Sequence, residues 1–569
     1  NYYFDGASTD GATGAVSFAS NINVLASATV GVGRFGTAYA PLFSQNVNKI
    51  ANVTGNLAIA GGTTLTVTPA NGYGLRLSST LALPSAAATL SVGTATSSNV
   101  VQGFEVAGAV TGGATGSGVV TFTKAGVGTL VLSNNTVGSG GNTFGSGGSI
   151  IDITDGILSV ASGAALGDSA NVVRLSANSA TKGFRATDSF STGRTFNLNA
   201  ATVGIDVALG KTLTLNAAFG LGAVGNALQK NELGVLELNA ANPTWTGALT
   251  VSAGAVKVSN ASSLGTIAGI TSVAGAPGAA LQLNGVSISE PITLTGLASN
   301  VLGINGAGQL QALYGTTSTD SATITLATAQ ATIGADDTAT LNLTAAAPFS
   351  GNQALIFNTA GTGAINVSGA LSASNPGAIT KIGTGVLTLS GDSSVTTPYV
   401  ATITVNAGTL TLSGAGKLGG TGAITVQPGG VLTLDSSGTN VASRLSARPL
   451  TLGGARFNLV GASNATTAET VGAITQLAGN TVFTLTASGT GQANLTAASI
   501  GAVVSGTTYL FRGTNLGQAA GAGNATFALT TAPTFVGGSG AAGTTTKAVL
   551  PWGIIDSSAS GVEIGRAHV

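Results

Sequence analysis

The stretch TKIGTGVLTLSGDSSVTTPYVATITVNAGTLTLSGAGKLG at residues 380–419 contains three short runs in which apolar and small residues alternate. These runs are 386–389, 402–405 and 409–412, and glycines lie between them. A period of two is typical of a half-buried β-strand, which presents alternate side chains to opposite faces. The stretch therefore predicts three short strands joined by tight corners.

Two other segments have the same spacing and begin at Lys124 and Lys230, as this one begins at Lys381. In each, a leucine follows the lysine by six residues, and a later glycine precedes the leucine of a closing Leu-Gly pair by ten. The leucines are Leu130, Leu236 and Leu387, and the glycines are Gly156, Gly254 and Gly408. Only the interval from lysine to glycine varies, at 32, 24 and 27 residues. Constant spacings on both sides of an interval of variable length predict a repeat whose loops can lengthen, as in a solenoid.

The sequence therefore predicts an all-β fold, a right-handed parallel β-helix (β-solenoid) built of short strands and glycine-rich corners. Further alternating runs occur at 56–60, 74–77, 212–215 and 431–434, and no long apolar stripe has the 3.6-residue period of a helix. Regular stacking pairs the strands in parallel, because each coil returns the chain to the same place one strand higher. With about 22 residues in a coil, we expect about 25 coils.

The third segment resembles the autotransporter-associated β-strand repeat of large bacterial surface proteins. The matching positions are Lys381, Gly383, Gly385, Leu387, Leu389, Ser390, Thr404, Val405, Gly408, Leu410, Leu418 and Gly419. The first copy departs from the pattern at Asp152 and Ile153, and the second has Glu232 in place of the first loop glycine. Segments 443–459, 467–485, 508–517 and 548–556 resemble the region downstream of such repeats. The resemblance implies an exported bacterial passenger and no particular ligand.

The chain divides in sequence into four parts. Residues 1–50 hold Tyr2, Tyr3, Phe4, Phe18, Phe35, Tyr39 and Phe43 and are interpreted as an N-terminal cap or a remnant of a longer chain. Residues 51–440 are predicted as the β-helix, with repeats at 118–168, 226–266 and 378–435. Residues 441–563 are predicted as a C-terminal β-rich continuation of the passenger. Residues 564–569, IGRAHV, match a translated sequencing adapter and are expected to be an artefact.

Composition limits the classes of function. Glycine supplies 87 of 569 residues, about twice its usual share. Charged residues supply only 7%, with 19 basic against 19 acidic, so no basic stripe for nucleic acid is present. The hydrophobic share is 43% and the mean hydropathy +0.44, which disfavours a disordered chain. Cysteine is absent, which excludes disulfides and thiolate metal sites, and no apolar run reaches the length of a membrane-spanning helix.

Catalytic chemistry would have to come from carboxylates, since the one histidine, His568, lies in the adapter-like tail. Asp152 and Asp155 precede the Gly156 corner, and Asp336 and Asp337 are adjacent. A β-helix polysaccharide lyase or glycosidase needs acidic groups that converge on one face. The preferred interpretation is that these aspartates cap turns, so that no catalytic, cofactor-binding or metal-binding residue is assigned and no cofactor is expected.

The three recurrent lysines are predicted to have a structural or solvent-facing role and could stack as a weakly basic ladder along one face. Trp245, Tyr399 and Trp552 are candidates for sugar-stacking platforms, although such residues more often cover the open edge of a core.

The expected function is that of a secreted or surface-exposed β-solenoid passenger, an adhesin-like or structural stalk without enzymatic activity, in a Gram-negative-type bacterium. Its partners would be host, surface or polysaccharide ligands or further copies of itself, and no nucleic acid. It would reach the outer membrane only through a C-terminal anchor absent from this sequence. Two alternatives remain open: a carbohydrate-active β-helix enzyme, and a self-assembling sheath or surface-layer component.

Overall fold

The computed structural model describes residues 2–4, 15–34, 50–70, 73–93, 103–113, 118–145, 147–276, 278–297, 303, 306–373, 375–538, 540, 545–558 and 564–568. The chain forms two compact units, Asn1–Ser272 (unit 1) and Val273–Val569 (unit 2). Both consist of short parallel strands stacked as a β-solenoid, and the described residues contain no α-helix. The all-β solenoid predicted from the sequence is confirmed.

The described residues of unit 1 form strands of two to seven residues and one short 3₁₀ helix, Gly163–Leu166. Its strands are β1 (Tyr2–Phe4), β2 (Ala15–Phe18), β3 (Ile22–Val24), β4 (Ala28–Arg34), β5 (Ile50–Val53), β6 (Leu57–Ile59), β7 (Thr64–Pro69), β8 (Gly74–Leu77), β9 (Leu81–Leu83), β10 (Ala88–Val92), β11 (Phe104–Val106), β12 (Val110–Gly112), β13 (Thr121–Ala125), β14 (Thr129–Leu132), β15 (Ile150–Ile153), β16 (Ile157–Val160), β17 (Val172–Leu175), β18 (Gly183–Ala186), β19 (Phe190–Thr192), β20 (Phe196–Leu198), β21 (Thr202–Val207), β22 (Thr212–Leu215), β23 (Gly220–Leu221), β24 (Ala227–Asn231), β25 (Val235–Leu238), β26 (Leu249–Val251) and β27 (Ala255–Val258). A further strand, β28 (Thr271–Val273), lies where the chain passes from one unit to the other.

Unit 2 has similar strands up to β48, and its longest strands, of eight to thirteen residues, are β49 to β52 and β55. The strands of unit 2 are β29 (Ala280–Leu283), β30 (Ser287–Ile288), β31 (Ile292–Thr295), β32 (Leu310–Ala312), β33 (Thr317–Asp320), β34 (Ile324–Thr328), β35 (Ala331–Ala335), β36 (Thr340–Leu343), β37 (Phe349–Ser350), β38 (Leu355–Thr359), β39 (Ala364–Val367), β40 (Ile379–Ile382), β41 (Val386–Leu389), β42 (Asp392–Ser393), β43 (Ile403–Val405), β44 (Gly408–Leu412), β45 (Lys417–Leu418), β46 (Ile424–Val426), β47 (Gly430–Asp435), β48 (Leu450–Gly453), β49 (Arg456–Ser463), β50 (Thr466–Ala478), β51 (Asn480–Ser488), β52 (Gln492–Ile500), β53 (Thr508–Gly513), β54 (Ala525–Leu529), β55 (Val549–Asp556) and β56 (Ile564–His568).

Each turn of a unit contributes one strand to each of two or three sheets. In unit 1, sheet A runs β1-β4-β7-β10-β13-β15-β17-β20-β23, sheet B runs β2-β5-β8-β11-β14-β16-β18-β21-β24-β26, sheet C contains β3, β6, β9 and β12, and sheet D contains β19, β22, β25 and β27. In unit 2, sheet E contains β31, β34 and β37, sheet F runs β29-β32-β35-β38-β40-β43-β46-β48-β50-β52-β54, sheet G runs β30-β33-β36-β39-β41-β44-β47-β49-β51-β53-β55-β56, and β42 pairs with β45. Neighbouring strands in a sheet come from successive turns of the solenoid. Side chains at equivalent positions of these strands therefore lie one above another and form columns.

The strands of the third repeat, at residues 378–435, show how the core is built. Leu387, Leu410 and Leu432 lie side by side in sheet G and are fully buried. The threonines that follow them point outward and are partly exposed. Alternate positions therefore separate a dry interior column from a polar outer face, as the period-two pattern predicted.

The number of turns differs from the sequence estimate. The two units have about 18 turns between them, fewer than the expected 25. A turn takes 23 residues from Leu387 to Leu410 and 22 from Leu410 to Leu432, but 28 from Thr481 to Tyr509. The estimate failed because loops at the corners lengthen many turns without adding a strand.

The ends of the chain join the same sheets where the structure describes them. Strands β1 to β4 pair in parallel with later strands, so this part of residues 1–50 is stacked on the solenoid; Phe35, Tyr39 and Phe43 lie outside the described residues. At the other end β56 pairs antiparallel with β55. The cap and the adapter tail remain predictions.

Candidate functional site

Lys124 is the first of the recurrent lysines, and its side chain is fully buried at the corner between β13 and β14. Its ammonium group donates to the carbonyls of Ala125 at 2.9 Å and Gly126 at 2.7 Å, which belong to its own corner. A third hydrogen bond, of 2.8 Å, reaches the carbonyl of Asp155 in the next turn. Three acceptors match the three donors of an ammonium group. We call this arrangement a lysine clamp.

The other two lysines form the same clamp. Lys230 donates to the carbonyls of Asn231, Glu232 and Ala253, and Lys381 donates to those of Ile382, Gly383 and Ala407. In each clamp, the third carbonyl belongs to the residue immediately before the second glycine of the repeat. The strand partners of the three lysines in the next turn are Ile153, Val251 and Val405, each three residues before the glycine, so the variable interval is one turn of the solenoid plus three residues.

The glycine of each clamp is required by space and by backbone conformation. Gly156 and Gly408 have φ of +65° and +67°, in the left-handed region that L side chains rarely adopt. A Cβ on Gly156 would also lie 2.7 Å from the Lys124 nitrogen and 2.2 Å from the Gly128 carbonyl oxygen. The lysine and glycine of the repeat are thus two parts of one contact between turns.

The structural role predicted for the lysines is confirmed, but the solvent-facing role and the basic ladder are wrong. All three side chains are fully buried, since each occupies an inward position of an alternating strand. Lys124 lies at a corner from sheet A to sheet B, whereas Lys230 lies at a corner from sheet B to sheet D. Burial lowers the pKa of Lys124 to about 7 and that of Lys230 to about 8.

Glu232, which stands in place of a glycine, keeps the corner by adopting the glycine conformation. Its φ is +56°, close to the +72° of Gly126 at the equivalent position. Its carboxylate pairs with Arg185 at 3.0 Å, and its own carbonyl accepts from Lys230. The departure from the repeat therefore changes the residue and preserves the clamp.

The first aspartate pair is held by neighbouring turns. Asp152 accepts hydrogen bonds of 2.6 Å from Arg174 and from the Ser176 hydroxyl. Asp155 accepts from the Gly156 amide and from Lys182. Burial raises the pKa of Asp155, but these hydrogen bonds outweigh it and hold the pKa below its ordinary value. The turn-capping role predicted for Asp155 is confirmed.

The second pair also bonds to adjacent turns. Asp336 accepts from the Gln311 amide at 2.6 Å, and Asp337 accepts from the backbone amide and hydroxyl of Thr362. Asp337 therefore caps the corner of the following turn, and a backbone hydrogen bond from Thr338, in its own corner, also lowers its pKa as the predicted turn-capping role requires. The side chains of both pairs are thus used in contacts between turns.

Two of the three proposed platforms are not exposed. Trp245 and Tyr399 are fully buried, and they donate to the carbonyls of Asn226 and Gly377 at 2.7 Å. Neither ring can stack on a sugar, and both lie outside the strands, in connections between them. Trp552 is half-buried and lies at the wall of a cavity described below.

Sequence reasoning missed two buried arginines in unit 2. Arg448 lies 5.4 Å from the Tyr399 ring centre and donates to the carbonyls of Tyr399, Ala401, Gly419 and Gly422. Arg444 binds four carbonyls in the same way, and the Glu469 carboxylate accepts from the amides of Arg444 and Leu445. The signal was the pair of arginines in SRLSAR, a charged motif within an almost uncharged chain.

Unit 2 contains a cavity of about 310 Å³ beside its last parallel strands. Phe511 of β53 and Phe527 of β54 form one wall, with ring centres 4.6 Å apart, and Trp552 and Ile555 of β55 form another. The volume lies at the lower end of the range for small-molecule sites. This cavity is the candidate site in the described part of the chain.

The described residues contain no group of three or more histidine, cysteine, aspartate or glutamate side chains placed to hold a metal ion. They also contain no helix long and apolar enough to cross a membrane.

In comparisons with known proteins, no family model, curated protein or solved structure matches this chain. The class that the fold itself defines is that of parallel β-solenoid repeat proteins.

Proposed function

We propose that this chain is a secreted or surface-exposed bacterial passenger that serves as an adhesin-like or structural stalk and catalyses no reaction. The observation that carries the proposal is the lysine clamp. In a chain with only 7% charged residues, the recurrent cations fasten one turn to the next. A protein whose repeated charges hold its turns together is suited to bear load.

Other contacts support the same interpretation. Asp152 bonds to Arg174 in the adjacent turn, and Arg448 bonds to carbonyls from several corners. The resemblance of 380–419 to autotransporter-associated repeats supplies the expectation of export. Host, surface or polysaccharide ligands would be bound by the outer faces and loops.

Export and activity require separate measurements. An antibody raised against the purified chain should label intact cells of the source bacterium, and external protease should remove the label. Label that appears only after the cells are permeabilised would contradict surface exposure.

The enzyme alternative is tested with the same purified chain. It should be retained on at least one host or polysaccharide surface while releasing neither reducing ends nor unsaturated uronates from pectin, alginate and other acidic polysaccharides. Turnover of any of these would establish a polysaccharide lyase or glycosidase and overturn the proposal. Filaments seen by electron microscopy would favour a sheath.

A further inference from the structure

The cavity in unit 2 arises where two inward columns lose their aromatic residues. One column runs Phe457, Phe483 and Phe511 through β49, β51 and β53, with ring centres 5.3 and 5.5 Å apart. In β55 the next member is Ile555. The smaller side chain leaves a space against Phe511 that a further ring would have filled.

The neighbouring column of inward side chains also loses an aromatic residue between β53 and β55. Tyr509 of β53 is fully buried, and its partner in β55 is Gly553, which has no side chain. Trp552 packs edge-on against Tyr509 at 5.6 Å and forms a wall of the cavity. Ile555 and Gly553 therefore fill less volume than the aromatic residues beside them in β53, and the space that they leave is bordered by aromatic rings.

The chemistry of the wall defines what could occupy it. No acidic or basic side chain occurs among the described residues that line the cavity, and most are aliphatic or aromatic. Gln518 lies exposed at the rim, where its amide offers two N–H donors and a carbonyl oxygen acceptor. The Thr526 hydroxyl donates to Asn494 at 2.8 Å, so its free lone pair can only accept. Few polar groups in an apolar wall are typical of a site that orients a small ligand.

We propose that this cavity binds a small uncharged ligand that carries a planar aromatic ring and one or two hydrogen-bonding groups. The ring takes the place of the missing member of the aromatic column, between Phe511, Phe527 and Trp552. Its polar group meets Gln518 at the rim. A charged ligand is disfavoured because the wall offers no opposite charge to offset its desolvation. The proposal does not depend on the stalk function.

The chain holds two tryptophans, and this makes a specific probe available. Trp245 is buried in unit 1 and Trp552 borders the cavity in unit 2. A Trp245→Phe chain therefore has Trp552 as its single tryptophan. Titration with prodan, an uncharged naphthalene derivative whose absorption overlaps tryptophan emission, should give saturable energy transfer with one probe per chain. Unlabelled indole should compete.

Ile555→Phe is the decisive variant, because it continues the aromatic column and fills the space. It should weaken prodan binding by at least about tenfold, whereas the matched change Leu477→Phe, at an exposed position of unit 2, should leave binding unchanged. If Ile555→Phe does not fold, Phe527→Ala serves instead and should shift the preference toward larger rings. Absence of saturable transfer, or equal binding by Ile555→Phe and Leu477→Phe, would overturn the proposal.

Discussion

The ammonium group of Lys124 donates a 2.8 Å hydrogen bond to the carbonyl oxygen of Asp155, which lies one turn further along the solenoid of unit 1. This contact explains why the repeat fixes a lysine and a glycine but leaves their interval free. The glycine follows the accepting carbonyl directly, and any loop between lysine and glycine is tolerated if it returns the chain to that point.

Replacing Lys124 with methionine should destabilise unit 1 by about 3 kcal/mol, because three buried carbonyls lose a charged donor. The measurement is urea unfolding followed by Trp245 fluorescence in a Trp552→Phe background. Lys211→Met is the control, since Lys211 pairs with Asp188 at an exposed site and its loss should scarcely move the transition. Equal effects of the two substitutions would show that the clamp is not stabilising.

The corner that contains Glu232 should tolerate a glycine. Glu232→Gly removes a positive-φ strain and a partly exposed ion pair with Arg185, so the free energy of unfolding should change by less than about 1 kcal/mol. Gly126→Ala at the equivalent position should cost about 2 kcal/mol or more, because its Cβ would lie 2.4 Å from the Val92 carbonyl oxygen. The same fluorescence assay reports both variants, and a larger loss for Glu232→Gly would contradict the equivalence of the corners.

Asp320 should make the stability of unit 2 fall as pH rises. It is fully buried, and its Oδ2 has no hydrogen-bond partner among the described residues. Burial raises its pKa to about 7, outweighing the hydrogen bond from the Ala322 amide. The folded state therefore holds a proton that the unfolded state releases near pH 4. The stabilisation is complete below about pH 4 and is lost as pH rises through about 7.

Asp320→Asn should remove this dependence. The variant should gain a few kcal/mol over the natural chain between about pH 5 and 8, as followed by urea unfolding and circular dichroism. Asp337→Asn is a control of opposite sign, because hydrogen bonds from Thr362 lower the pKa of Asp337, and its contribution is lost as pH falls. A constant difference between Asp320→Asn and the natural chain across this range would refute a buried, protonated Asp320.

Local alternation predicted the strands well. The runs 74–77, 212–215 and 386–389 coincide with β8, β22 and β41. They could be predicted because successive side chains of a strand point to opposite faces, so four alternating residues already define an inner and an outer face. The inward lysines could have been found by the same rule, since Phe122 and Lys124 share a face. Their charge concealed this, because a cation is ordinarily assigned to solvent.

The candidate site was beyond local reasoning. The cavity depends on Phe511 meeting Ile555, and Tyr509 meeting Gly553, across more than forty residues. The loop lengths that set this register have no periodic signature. The arginine contacts depend equally on distant carbonyls, as with Arg448 and Ala401, which lie 47 residues apart.

The most direct test of the stacked turns is a cysteine pair in this cysteine-free chain. Thr388 lies beside Thr411, and Thr411 lies beside Thr433. Adjacent strands are about 4.8 Å apart, within reach of a disulfide, whereas two strand spacings are not. Oxidation should therefore crosslink a Thr388→Cys/Thr411→Cys chain rapidly, seen as a shift in gel mobility, and leave Thr388→Cys/Thr433→Cys uncrosslinked. Equal crosslinking of both pairs, or none in either, would contradict the solenoid.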